Sequence, residues 1–244
     1  STGDTNINSK SLLVARYAAG GCLEGVDALM NGSASRVFCN IRPPGHHAKR
    51  NCGKGFCIFN NAAIAARYAQ KKYNIKRVVI IDWDVHHGDG TQDIFDKDPT
   101  VFYFSTHRYG SGQSMNETHK FYPGSGGAEE TGKELGINYT LNCPIDPDTC
   151  LPREKVLEAF KDKLIPVMDQ FKPEIVIISA GFDAHERDPL GGFDLTERDF
   201  AELTHCIRKN IADKYAGGKI LSVLEGGYNL DALASSVQAH VTAL

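Results

Sequence analysis

A run of β-branched residues from Val78 to Ile81 leads directly into the polar segment Asp-Trp-Asp-Val-His-His-Gly-Asp-Gly at residues 82–90. An uninterrupted apolar run of this kind is typical of a strand that is buried on both faces of a parallel sheet. In open α/β sheets, ligands bind beyond the carboxyl ends of such strands. The sequence therefore predicts an α/β domain whose ligand-binding edge carries carboxylates and imidazoles.

Strand-like and helix-like patterns alternate along the whole chain. We predict strands at residues 37–41, 77–82, 101–105, 138–142, 174–179 and 219–224, and helices at residues 9–30, 60–72, 152–170, 196–214 and 229–243. This alternation predicts an α/β fold with a mostly parallel sheet flanked by helices on both faces. Residues 106–136 show little periodicity and are predicted to form a long loop. No repeat or linker divides the chain, so residues 1–244 are expected to form a single domain.

Composition limits the classes of function. The chain of 244 residues is 41% hydrophobic, which is ample for one large core, and its net charge of −3 predicts no basic surface for nucleic acid. No apolar run approaches the ~20 residues of a membrane span, so no membrane association is expected. The seven cysteines form no CxxC pair, which favours reduced thiols in an intracellular protein, either cytoplasmic or nuclear.

Two side chains of the polar segment have the chemistry of half a metal site. Side chains two apart in an extended chain share a face, so Asp84 and His86 would point the same way. Asp183 follows a second apolar strand at residues 175–178 and would lie at the same edge as a third ligand. A catalytic zinc takes three protein ligands and keeps one position open for water. The alternative is that these acids cap strands, turns or a helix.

Two adjacent histidines, His46 and His47, follow the turn-forming segment Arg-Pro-Pro-Gly at residues 42–45. This position suits a general base and an electrostatic catalyst beside a metal-activated water. Each imidazole needs a carboxylate to fix its tautomer, and Asp82 and Asp89 are available for this task. In the alternative interpretation, the two histidines are themselves metal ligands.

Tyr228 follows two glycines, Gly226 and Gly227, after the last predicted strand. Glycines let the main chain approach a ligand closely, and a phenol at this point could donate to an oxyanion. A buried tyrosine at the start of a helix is the alternative. Aromatic residues beside glycines at 55–56 and 121–124 are weaker candidates for the walls of a narrow channel.

Six segments of the chain resemble the zinc-dependent histone deacetylase family, and specifically its class II branch with the bacterial deacetylase-like amidohydrolases. They are RPPGHHA (42–48), GFCIFNNAAIAA (55–66), DWDVHHGDGTQDIF (82–95), FYPGSG (121–126), SAGFDAHERDPLGG (179–192) and EGGYNL (225–230). The segments occur in the order that is typical of the family. The resemblance implies an arginase/deacetylase fold and zinc-dependent hydrolysis of the acetyl amide of Nε-acetyl-lysine in histones or other proteins, which releases acetate.

The same resemblance implies roles for individual residues. Zn²⁺ would be held by Asp84, His86 and Asp183. The general base and acid would be His46 and His47, supported by Asp82 and Asp89, and Tyr228 would polarise the acetyl carbonyl. The substrate would contact Gly55, Phe56, Tyr122, Leu190 and Gly227. A potassium ion, the second cofactor that the family implies, would be held by Asp82, Asp84, His86, Ser105 and Thr106.

Two of these positions bear on activity and substrate. Some family members carry His at the position of Tyr228 and deacetylate poorly, so Tyr228 favours an active enzyme. Polyamine-selective relatives place Glu at the position of Leu190, where it recognises a substrate cation. Leu190 therefore favours acetyl-lysine over acetylpolyamine.

Three other functions stay open at this point. They are acetylpolyamine hydrolysis on the same fold, an arginase-like binuclear manganese site with His185 as a spare ligand, and an acyl-lysine binding scaffold with weak activity. Domains of the family also run longer than this chain. We therefore expect an N-terminal part to be missing, including the loop whose acidic residue holds the substrate backbone.

Overall fold

One sheet of six strands forms the centre of the protein. The computed structural model describes residues 3–110 and 121–244, and within them the strand order is β1-β6-β5-β2-β3-β4. Every neighbouring pair of strands is parallel, which confirms the predicted sheet. The strands are β1 (Arg36–Cys39), β2 (Val78–Asp82), β3 (Val101–Arg108), β4 (Thr140–Ile145), β5 (Ile175–Ala180) and β6 (Ile220–Leu224).

Helices cover both faces of this sheet. They are α1 (Ser11–Met30), α2 (Asn61–Tyr73), α3 (Asp89–Phe95), α4 (Pro152–Glu158), α5 (Ile165–Phe171), α6 (Glu197–Ile207), α7 (Asp213–Tyr215) and α8 (Leu230–Ala243). A π-helical turn joins α4 to α5, and a second one joins α6 to α7. The two long helices predicted near residues 152–170 and 196–214 are therefore continuous helical segments that each contain one wider turn.

Strand β2 carries apolar residues on both faces because each face packs against helices. Val78 and Ile80 belong to the core that includes α1 and α2, whereas Val79 and Ile81 belong to the core that includes α4 to α8. All four side chains are fully buried. This double burial explains why β2 is a continuous apolar run rather than an alternating one.

The carboxyl ends of the central strands meet at one edge of the sheet. Asp82, the last residue of β2, pairs in register with Ser105 of β3 on one side and with Ser179 of β5 on the other. The chain builds outward from β2 to β4 on one side and from β5 to β6 on the other. The strand order therefore reverses between β2 and β5, which is where open α/β sheets form their ligand sites.

The structure differs from the predicted elements at several boundaries. Helix α3 is not predicted, because seven residues are too few to show a helical period. Strand β1 ends at Cys39 rather than at residue 41, shortly before two prolines that cannot donate to a strand ladder. Strand β3 extends to Arg108, and residues 111–120 of the predicted loop lie outside the described residues. Within the described ranges, no helix has both the length and the apolar character needed to cross a membrane.

Candidate active site

The loops that follow β2 and β5 bring Asp84, His86 and Asp183 together. One ligand atom from each residue lies within 4.8 Å of the other two. Nδ1 of His86 lies 3.2 Å from Oδ1 of Asp84 and 3.0 Å from Oδ2 of Asp183. The extended conformation ends at Asp82, so the pairing of Asp84 with His86 arises differently from the prediction. A turn, in which the His86 amide donates to Oδ1 of Asp84 at 2.9 Å, brings the two side chains together.

The electrostatics of this cluster favour a cation. Burial and the charge of Asp84 raise the pKa of Asp183 to about 7. Burial opposes a charge on His86, but the carboxylates of Asp183 and Asp84 outweigh it and raise the pKa of His86 to about 9. Two buried carboxylates that repel each other are stabilised by a positive charge between them. Two carboxylate oxygens and one imidazole nitrogen also form a donor set that suits a catalytic zinc ion.

Main-chain groups hold the two carboxylates in place. The amide of Val85 donates to Oδ1 of Asp183 at 2.9 Å, and the amide of Gly226 donates to Oδ2 of Asp84 at 2.9 Å. A Cβ atom at Gly181 would lie only 2.1 Å from Oδ2 of Asp84, so no larger residue fits there. Each carboxylate therefore has one oxygen fixed by the main chain and the other directed at His86.

His46 and His47 each contact one carboxylate. Nδ1 of His46 lies 3.1 Å from Oδ2 of Asp82, and Nδ1 of His47 lies 2.9 Å from Oδ1 of Asp89. The centroids of the two imidazole rings are 4.0 Å apart. Nε2 of His46 lies 3.7 Å from Oδ1 of Asp84. The histidine pair therefore lies beside Asp84, His86 and Asp183, the candidate metal ligands that are called the metal cluster below. Because Nδ1 of each ring is engaged, Nε2 is the atom left for proton transfer.

The two imidazoles differ in their affinity for a proton. Burial opposes a charge on His46, but the carboxylates of Asp84 and Asp82 raise the pKa of His46 well above its usual value. Burial and the nearby positive charge of His46 lower the pKa of His47 to about 3. The pair therefore favours one positive charge over two.

Glu225 directly follows β6 and holds the main chain at the histidine pair. The sequence analysis does not single out this residue. Its Oε2 accepts hydrogen bonds from the main-chain amides of Gly45 at 2.6 Å and His46 at 3.1 Å. Its Oε1 accepts a hydrogen bond from the Ser179 hydroxyl at 3.1 Å. The signal that could have found it is an acid placed directly after a buried strand and before two glycines.

Lys54 is a second charged residue that the sequence does not single out. Its Nζ lies 2.9 Å from Oδ2 of Asp89, whose other oxygen contacts His47. The lysine side chain is mostly buried and lies over the ring of Tyr122, at 5.2 Å from the ring centroid. A lysine, an aspartate and a histidine therefore form a chain of contacts behind the histidine pair.

Aromatic side chains line the approach to the histidines. The ring of Tyr122 lies edge-on to that of His47 with 5.0 Å between centroids, and the ring of Phe56 lies 6.0 Å from that of Tyr228. Phe56 is 48% exposed, so it lies at the mouth of the site. Gly55 has a φ of 57°, and a Cβ atom there would lie 2.4 Å from the His47 ring, so this close approach requires glycine.

The segment at the N-terminal end reaches the same mouth. The hydroxyl of Tyr122 donates to Oδ2 of Asp4 at 3.1 Å. The main-chain amide of Phe56 donates to Oγ1 of Thr5 at 3.1 Å. An acidic side chain therefore lies beside the residues predicted to line the substrate channel, where the sequence interpretation expects none.

Tyr228, whose ring lies 6.0 Å from that of Phe56, and Leu190 are the other side chains predicted at this opening. Tyr228 follows Gly227, whose φ is 139°. Burial and the charges of Asp183 and Asp84 raise the pKa of the Tyr228 phenol, so it stays protonated and able to donate. Leu190 is 47% exposed, which is consistent with a wall of the channel mouth.

The sequence also suggests a potassium site and, as an alternative, a binuclear manganese site. Ser105 and Thr106 are buried within β3, and Ser105 is in register with Asp82. Oγ of Ser105 already contacts Nδ1 of His107 at 2.8 Å. The potassium site therefore stays a prediction. Nε2 of His185 lies 3.4 Å from Oε2 of Glu197, and among the described residues His185 is not part of the metal cluster. The binuclear manganese alternative gains no support from it.

The fold and the site together define a class of protein: α/β proteins with a single parallel sheet that carry two aspartates and a histidine as a metal cluster, beside paired histidines, where the strand order reverses. The histone deacetylase domain family matches residues 1–244, and the chain belongs to this family. The predicted deacetylase fold is thereby confirmed.

Individual relatives agree with this assignment. The chain is 44% identical over 230 residues to polyamine deacetylase HDAC10 of Mus musculus. The matched residues make up 94% of this chain and 33% of that protein. It is 41% identical over 243 residues to histone deacetylase 15 of Arabidopsis thaliana, which covers 100% of this chain and 42% of the relative. The crystal structure of the HDA15 HD domain has a TM-score of 0.87 at 40% identity, over 97% of this chain and 63% of that one. The chain thus spans less than half the length of these two curated relatives.

Proposed function

We propose that this protein hydrolyses the acetyl amide of Nε-acetyl-lysine in histones or other proteins with the help of a bound Zn²⁺ ion. The observation that carries this proposal is the convergence of Asp84, His86 and Asp183 directly beside the His46–His47 pair. Membership of the histone deacetylase domain family supports the same activity.

Asp84, His86 and Asp183 would hold the zinc ion. A donor set that includes an imidazole nitrogen favours zinc over calcium or magnesium, which prefer oxygen ligands. When bound, zinc supplies Lewis acidity that polarises the acetyl oxygen and makes water a better nucleophile at neutral pH.

His46 and His47 would move the protons of the reaction. Hydrolysis adds water to the acetyl carbon and breaks its bond to the lysine nitrogen, so one proton must leave the water and one must reach the amine. An imidazole that accepts the first proton through Nε2 can return a proton to the leaving amine. Asp82 and Asp89 would hold the two rings in the orientation and tautomer that this exchange needs.

Tyr228 would donate its phenolic hydrogen to the acetyl oxygen as negative charge develops there. Gly55, Phe56 and Tyr122 would surround the acyl-lysine stem, and Leu190 and Gly227 would complete the wall. Asp4 would take the role of the acidic rim residue that holds the substrate backbone. Its carboxylate lies beside Tyr122, which supports this role.

The first test measures acetate release from an acetyl-lysine peptide, with the zinc content determined on the same sample. We expect turnover with about one zinc ion per chain. The Tyr228→Phe variant should keep its zinc and lose about 10²- to 10³-fold in kcat. Tyr17→Phe is the matched control, since Tyr17 is 74% exposed on α1. Full activity of Tyr228→Phe would contradict the assignment, and peptide binding without turnover would support a binding scaffold.

Acetylpolyamine hydrolysis is the second candidate, because the chain is similar to a polyamine deacetylase. Leu190 argues against it, since an apolar side chain offers no charge for a second substrate ammonium group. The comparison of kcat/KM for acetylspermidine and for the acetyl-lysine peptide decides between the two. A higher value for acetylspermidine would preserve the mechanism and change the substrate.

A further inference from the structure

The carboxylate of Asp188, in the loop after β5, joins two parts of the candidate site. Its Oδ2 accepts hydrogen bonds from the main-chain amides of Tyr228 at 2.7 Å and Asn229 at 3.4 Å. Its Oδ1 accepts a hydrogen bond from the main-chain amide of Leu190 at 2.9 Å. Asp188 is only 8% exposed. One buried side chain therefore holds the main chain of two residues that we place around the substrate.

The chain that leads into Tyr228 contains two glycines, and hydrogen bonds to Asp84 and Phe182 hold the first of them, Gly226. The φ of 139° at Gly227 is a conformation that other residues rarely adopt. Glycine also has more backbone freedom than any other residue. Helix α8 begins only at Leu230, so Tyr228 lies outside regular structure. The hydrogen bonds to Asp188 therefore fix the main chain at the point from which the phenol projects.

The charge of Asp188 suits this task. An ionised carboxylate accepts hydrogen bonds on both oxygens, and such charge-assisted bonds are stronger than neutral ones. Its negative charge also lies near the amino end of α8, where the helix dipole favours an anion. The loop that carries Asp188 is anchored in turn, because the Asp188 amide donates to the carbonyl oxygen of His185 at 2.9 Å.

We propose that Asp188 is a positioning residue that sets the Tyr228 phenol for catalysis and ties it to the channel wall at Leu190. This inference rests on the proposed hydrolase function, in which Tyr228 donates to the acetyl oxygen. Among the described residues, the Asp188 carboxylate contacts main-chain amides near Tyr228 and Leu190 and none of the three candidate metal ligands. Its effect on kcat should therefore pass through Tyr228, whereas its hydrogen bond to the Leu190 amide would act on substrate binding and KM.

A double-mutant cycle tests this dependence on the zinc-loaded protein. Asp188→Ala should lower kcat by about tenfold to a hundredfold, the loss expected when a catalytic group is displaced by about 1 Å. In the Tyr228→Phe background, the same substitution should cost less than about threefold, because the group that it positions is gone. An equal loss in both backgrounds would overturn the inference. Full activity of Tyr228→Phe would instead count against the proposed function.

Amide hydrogen exchange supplies a readout that does not depend on activity. Asp188→Ala should increase exchange at the amides of Leu190, Tyr228 and Asn229, because all three lose their acceptor. The matched control is Asp199→Ala, because Asp199 is also buried and accepts a main-chain hydrogen bond from Thr196 at 2.8 Å, at the start of α6. The control should leave exchange around Tyr228 unchanged. Unchanged exchange around Tyr228 in Asp188→Ala would refute the proposal whatever the kinetics show.

Discussion

Acidic pH should weaken the fold through one buried histidine, His240 of α8. Its two ring nitrogens lie 2.7 Å from the hydroxyl oxygens of Thr204 on α6 and Ser222 on β6. The ring is fully buried and lies edge-on to the indole of Trp83, with 5.3 Å between centroids. Burial lowers the pKa of His240 to about 3. The folded protein therefore keeps this imidazole neutral at pH values where the unfolded chain protonates it.

The sign and the size of the effect follow from the two pKa values. The unfolded chain takes up the proton near a pKa of 6.5, whereas the folded protein does so at about 3. Between these values the unfolded state binds more protons, so the free energy of unfolding falls as the pH drops below about 6.5. The slope is about 1.4 kcal/mol per pH unit. At pH 5 the loss from His240 alone amounts to about 2 kcal/mol.

Urea unfolding at several pH values between 5 and 8 measures this loss. His240→Gln removes the titration but keeps an amide that can pair with both hydroxyls. We expect its free energy of unfolding to fall by about 2 kcal/mol less than that of the wild type between the two ends of this range. His205→Gln, on the exposed side of α6, is the control and should follow the wild type. Identical pH dependence of the wild type and His240→Gln would refute the reasoning.

Three further substitutions probe the site. Lys54→Met removes the ammonium group that orients Asp89, and should lower kcat by about tenfold in steady-state assays. An unchanged kcat would mean that the contact between Lys54 and Asp89 does not affect catalysis. Gly181→Ala forces a methyl group against a metal-site carboxylate and should weaken zinc binding by about 10- to 100-fold in a competition titration. Gly20→Ala, which meets nothing within 4 Å, is its control. Leu190→Glu should raise the kcat/KM ratio of acetylspermidine to acetyl-lysine peptide by about tenfold, and a constant ratio would remove this position from substrate selection.

The fold can be predicted from the sequence where burial leaves a pattern of apolar residues. The central strands are buried on both faces, so each one appears as an apolar run with a sharp polar end. Short elements leave no such pattern, so the sequence does not predict helix α3. The sequence predicts its first residue, Asp89, only as a carboxylate that supports a histidine.

The central residues of the candidate site can be predicted from the sequence for a related reason. Parallel strands end at a common edge, so acids and imidazoles that follow different strands, such as Asp84 and Asp183, are expected to meet. Asp4 carries no such signal, and the position of Glu225 directly after β6 does not reveal which residues it contacts. Their partners lie 118 residues away, at Tyr122, and 180 residues away, at Gly45. No local pattern encodes such contacts, because they depend on how loops from distant parts of the chain pack together.

The amides of Val85 and Gly226, which each hold one carboxylate oxygen of the metal cluster, bear on how the protein should behave without a metal ion. In small zinc modules the ion organises its own ligands and drives folding. Here main-chain hydrogen bonds that do not involve an ion hold the two carboxylates. The apoprotein should therefore stay folded and be open to reconstitution. Co²⁺ bound at the proposed metal site would then serve as a spectroscopic probe of its coordination.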